Sequence, residues 1–77
     1  MARFFISLTR EQRLRVLRAD ERRNAADLER AYGGDEEDPR EHPLFTRADW
    51  RDAVTSEITL LSYWHWCEQQ VRAELYG

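Results

Sequence analysis

A chain of 77 residues makes one domain, and a domain that small buries only roughly 60% of its unfolded surface, so its large apolar side chains are needed first for stability. Apolar residues at 42% and aromatics at 12% suffice for a folded core, while the single cysteine, Cys67, excludes an intramolecular disulfide framework and suits a reducing, cytoplasmic setting. The formal charge of −3, from 15 acids against 12 bases that are all arginine, disfavours a nucleic-acid footprint and favours a protein partner.

Residues 1–8 contain Phe4, Phe5, Ile6 and Leu8. This apolar stretch is too short for a signal-peptide core or a membrane span, and it is expected as an extended N-terminal arm packed on helices. Thr9, with Gln12 three residues on, spells a capping box in which each side chain satisfies the other's backbone N–H, so a first helix starts there. Leu14, Leu17, Ala25, Leu28 and Tyr32 recur at near-helical spacing, interrupted by the charged stretch RADERRN at 18–24. The helix over 9–32 is continuous, or it pauses at Ala19-Asp20 with Asp20 capping a second piece. Gly33-Gly34 ends it in either case.

Residues 33–45 read as an acidic surface loop, with two glycines, two prolines and four consecutive carboxylates, Asp35, Glu36, Glu37 and Asp38, followed by Glu41. Such a run suits a solvated turn or a contact patch for a basic partner. A short helix over 46–57 follows. Thr46 caps it, Asp49 answers the cap and the helix dipole, Phe45 before the cap staples onto Trp50, and Trp50 and Val54 point inward.

The last helix is expected over 58–76, with Leu60, Trp64, Cys67, Val71 and Leu75 as its buried stripe. Leu61, His65, Glu68 and Arg72 fall on a more polar face, where Glu68 precedes Arg72 in the favourable order for an ion pair. Tyr63 and Trp66 lie off the stripe. They serve either as exposed aromatic anchors for a partner or, for Trp66, as packing under Phe4 and Phe5.

The crowding of Tyr63, Trp64, His65, Trp66 and Cys67 raises the question of chemistry. A nucleophilic cysteine needs a base beside it, and His65 and Cys67, two apart on a helix, point roughly 200° away from each other. His42, His65 and Cys67 have no paired ligand spacing, so no metal site is expected. No catalytic residue and no cofactor is expected either, and Gly33-Gly34 belongs to no phosphate-binding pattern.

The segment His42 to Val71 carries His42-Pro43, Asp49-Trp50-Arg51, Val54, Thr59, Leu61, Tyr63-Trp64, Trp66 and Gln70-Val71. In these residues it resembles short helical proteins of proteobacterial phages and plasmids. That pattern has Gly-Asp before the threonine and Gly before the aromatic, where this chain has Glu57-Ile58 and Ser62, so the turn between the helices departs from it. The resemblance implies a helical hairpin and a mobile-element origin. Small acidic proteins of such elements include inhibitors of host defence such as the anti-CRISPR proteins.

The sequence therefore predicts an all-α domain of three or four helices, non-enzymatic, acting inside a bacterial cell on a host protein complex, with a type I CRISPR surveillance complex as the specific expectation. Asp35, Glu36, Glu37, Asp38 and Glu41 would meet a basic surface while Tyr63 and Trp66 anchor. One alternative is a nucleic-acid-binding or regulatory module using Arg10, Arg13, Arg15, Arg18, Arg22, Arg23 and Arg30, although acids interleave with them. Another is a homodimeric assembly protein that gains stability by doubling its core.

Overall fold

The structure, a computed structural model, describes residues 8–77. It builds them into four helices: α1 (Arg10–Asp20), α2 (Ala25–Tyr32), α3 (Arg47–Thr55) and α4 (Tyr63–Tyr76). The fold is all-α, and among the described residues the only β-type pairing is an isolated bridge between Gly34 and Pro39. The expected arm, with Phe4, Phe5 and Ile6, lies outside the described residues. The helix α4 is central, because α1, α2 and α3 each pack against it.

The capping box of Thr9 and Gln12 forms as the sequence predicts, each side chain accepting from the other's backbone N–H. The first helical segment is broken, and Asp20 does not cap the second piece. Asn24 does so, in a reciprocal box with Asp27, because the Asp20 carboxylate is turned into the core by a set of donors described below. Gly33 closes α2 in right-handed geometry, and Gly34 takes the left-handed turn at φ 69°. A Cβ at Gly34 would fall 2.2 Å from the Asp38 carbonyl oxygen, so only glycine fits.

Thr46 caps α3 by accepting from the Asp49 N–H. At the other end the Glu57 N–H donates to the Val54 carbonyl and the Ile58 N–H to the Ala53 carbonyl, the paired bonds of a Schellman closure. The left-handed residue of that closure is Glu57, at φ 59°, which for a residue with a Cβ costs about 1–2 kcal/mol. This turn stops α3 and delays α4 to Tyr63, five residues after the start expected at 58. Residues 58–62 are loop instead of helix.

The buried face of α4 is offset from the expected stripe. Tyr63, Trp66, Cys67 and Val71 are buried, joining Leu17, Leu28 and Phe45 in the core, with Trp50, Trp64 and Leu75 packed around them. Only Cys67 and Val71 of the expected stripe are fully buried, and Leu60, its first member, is in the loop and exposed. Leu14 and Val54, both expected inside, are also exposed. Phe45 stacks on the His42 ring at 5.0 Å and meets Trp66 edge-on at 6.2 Å, while Trp50 meets Tyr63.

Candidate partner-binding surfaces

The expected aromatic anchors are not on the surface. Tyr63 is 3% exposed and Trp66 7% exposed. Each serves the core instead: the Tyr63 hydroxyl accepts the His42 N–H at 2.8 Å and donates to the Phe45 carbonyl, stitching the 42–45 loop to α4. Burial pushes the Tyr63 phenol up from its ordinary value and the Cys67 thiol up to about 11. Cys67 is therefore a protonated, inert thiol at neutral pH.

The acidic loop is exposed but largely committed to its own geometry. The Asp35 carboxylate accepts the Glu37 and Asp38 N–H groups at 3.0 and 2.7 Å, forming the turn. Asp38 pairs with Arg40, and Glu41 accepts the first N–H of α3 from Arg47 at 2.9 Å. Glu36 and Glu37 keep carboxylates without an arginine partner among the described residues. Of the residues expected to meet a basic partner, these two remain available.

Of the seven arginines named for a nucleic-acid surface, four are ion-paired, while Arg10, Arg15 and Arg22 have no carboxylate partner among the described residues. Arg13 pairs with Glu74, Arg18 with Glu21, Arg23 with Asp20 and Arg30 with Asp27. That interleaving matches a solvated, ion-paired surface more closely than a phosphate-binding stripe.

The residues sequence reasoning missed are Asp20, Tyr32 and His42. Asp20 and His42 have no exposed side-chain surface, and His42 Nε2 lies 2.7 Å from Asp20 Oδ2. His42 Nδ1 accepts the Leu44 N–H at 3.0 Å, so the ring proton belongs on Nε2, where it is donated to Asp20. Tyr32 and Arg23 both donate to Asp20 Oδ1 at 2.9 Å. Burial pushes the Asp20 carboxyl upward, but the bonds from His42, Tyr32 and Arg23 outweigh it and hold the group below its ordinary value. With no surface, this carboxylate and imidazole reach no substrate. They clamp the end of α1, the end of α2 and the 42–45 loop together.

A serine and a histidine do meet at the surface, where Ser62 Oγ lies 2.7 Å from His65 Nδ1. They sit three residues apart in the first turn of α4, open to water, and no described carboxylate orients the far nitrogen of His65 as a nucleophile and base would need. The contact is a local one at the start of the helix.

Two surfaces remain for a partner. In the first, the loop between α3 and α4 turns Ile58, 78% exposed, and Leu60, 97% exposed, into solvent. The loop is held on both sides: Thr59 is buried, its hydroxyl accepts the Leu61 N–H at 3.1 Å, and the Trp50 indole donates to the Leu61 carbonyl at 2.9 Å. The second is a trough between α2 and α4, described by two adjoining hollows of about 590 and 480 Å³ that share Ala26, Glu29 and Trp64. Trp64 is half-buried there, with the Arg47 guanidinium 5.7 Å from its ring and Tyr63 edge-on at 4.8 Å. No helix among the described residues is long and apolar enough to cross a membrane. Comparison with protein-family models, curated proteins and solved structures finds no match.

Proposed function

We propose that this chain is a non-enzymatic protein-binding module that inserts the apolar tip of its α3–α4 loop into a partner. The observation that carries the reading is the exposure of Ile58 and Leu60 on a loop pinned by Thr59, Trp50 and the Schellman turn. Isolated exposed leucines are ordinary, but two large aliphatic side chains held outward by a restrained backbone are costly to leave in water and already ordered for binding. The commitment of the buried titratable groups, Asp20, His42 and Cys67, to the core supports the non-enzymatic part.

The narrower form of the proposal follows the mobile-element resemblance: the partner is a bacterial defence complex, with a type I CRISPR surveillance complex the specific case. Glu36 and Glu37 would then guide approach to a basic surface, with the aliphatic loop supplying affinity. Tyr63 and Trp66 take no part, being core residues.

The test is affinity capture from a bacterial lysate, with and without nuclease, using the wild type and a chain carrying Glu36→Arg and Glu37→Arg. Recovery of one protein complex that survives nuclease, with slower association for the charge-reversed chain, is expected, and surveillance-complex subunits in it would fix the narrower form. Recovery that depends on nucleic acid would favour the arginine-based alternative and contradict the proposal.

A further inference from the structure

The trough between α2 and α4 owes its shape to small residues. Ala26, Glu29 and Gly33 follow one another at spacings of three and four along α2 and its cap, so two of the three positions on that stripe carry little or no side chain. The indole of Trp64 stands opposite, at the first turn of α4, and fronts both hollows. The Arg47 guanidinium lies 5.7 Å from this ring and closer, at 4.3 Å, to Tyr63, so the indole is already within cation–π range of a guanidinium.

The charges around the trough select its occupant. Arg30 is engaged by Asp27, and Arg47 lies over Tyr63 at 4.3 Å as well as over Trp64. Among the carboxylates, Asp35 holds its own turn, and Glu68 accepts the Ala25 N–H and pairs with Arg72. Glu29, which lines both hollows, and Glu36, at one end, have no cationic partner among the described residues. Arg47 has no carboxylate partner among the described residues, so with Glu29 and Glu36 against this one cation the unpaired charge beside the half-buried indole is net negative.

We propose that this trough binds an arginine-bearing segment of a partner protein, with the guanidinium stacked on Trp64 and bridged to Glu29 or Glu36. Arginine fits better than lysine because its planar head stacks on an indole and offers a bidentate fork to a carboxylate at the same time. The inference rests on the reading of the chain as a binding module, and it names the chemistry of a second contact surface, separate from the aliphatic loop.

The test uses the full chain, labelled with ¹⁵N, titrated with the blocked peptide acetyl-Gly-Arg-Gly-Arg-Gly-amide and with versions carrying citrulline or glutamate in place of arginine. Saturable shifts are expected at the Trp64 indole N–H and the Ala26 and Gly34 amides with the arginine peptide alone. Glu29→Gln and Glu36→Gln should each weaken binding about threefold, as a partly exposed ion pair would, while Glu11→Gln, which removes the same charge on α1, should leave it unchanged. Absence of these shifts, equal shifts with the citrulline or glutamate peptide, or an equal loss with Glu11→Gln would overturn the proposal. A negative titration beside a successful protein capture would remove the trough and leave the binding module standing. The converse pair of results would keep the trough and remove the captured partner.

Discussion

His42 Nε2 and Asp20 Oδ2 lie 2.7 Å apart with neither side chain exposed, and this pair, with Tyr32 bonded to the same carboxylate, joins three parts of the chain that are otherwise separate in sequence. The Leu44 N–H fixes the imidazole tautomer from one side, and Tyr32 and Arg23 fill the other carboxylate oxygen. No buried side-chain nitrogen or oxygen among the described residues lacks a partner. In a domain this small, such a network specifies how the broken first helical segment folds back on itself.

Replacing Asp20 with Asn should therefore be expensive. The amide places its NH₂ either towards Tyr32 and Arg23 or towards His42, and a tautomer change at His42 would set a ring N–H against the Leu44 N–H. One donor of the clamp loses its acceptor in every arrangement, at a cost of about 2 kcal/mol. Urea unfolding followed by tryptophan fluorescence would check this, and a variant as stable as wild type would reduce the clamp to incidental packing.

The same carboxylate sets an acid limit. Its folded-state pKa lies below the ordinary 3.8, so its stabilisation is present above that value and lost as the pH falls through the lower, folded one. The urea midpoint should begin to fall as the pH drops through about 4 and continue to fall below it, and the drop should be smaller in Asp20→Asn.

How much of this was legible beforehand depends on whether the signal was local. The Thr9–Gln12 and Thr46–Asp49 caps, the glycine stop at Gly33-Gly34, the all-α class and the Glu68–Arg72 pair are encoded within a few residues, and each appears. The Asn24–Asp27 box is equally local, but the charged residues around it mask the start of α2. The start of α4 differs from the expected one because helical spacing from Leu60 onward is consistent with a longer helix, and nothing in Glu57 announces a left-handed conformation. The helix that begins at Tyr63 buries Tyr63 and Trp66, expected as anchors, and leaves Leu60 on the surface of the preceding loop. The Asp20–His42 clamp spans 22 positions, beyond any periodicity.

Glu57 offers a direct check on the turn. Its φ of 59° is the conformation glycine adopts freely. Glu57→Gly should stabilise the domain by about 1 kcal/mol by relieving the left-handed strain. A lower urea midpoint would mean that the Glu57 side chain contributes more than its backbone costs.

Cys67 should be chemically silent while the domain is folded. Burial raises its thiol to about 11 and closes it off between Tyr63 and Phe45. Iodoacetamide at about pH 8 should label the urea-unfolded chain and leave the native one unmodified. Rapid native labelling would reopen the question of a reactive thiol.

The central claim is that the aliphatic loop tip binds a partner protein without contributing to the fold. The most direct measurement compares the wild type with the Ile58→Ser, Leu60→Ser double variant, recording urea stability and the amount of captured partner side by side. The account predicts stability within about 0.5 kcal/mol of wild type and at least a tenfold loss of captured partner, the scale of a binding hot spot. Undiminished capture by a fully folded double variant would contradict it.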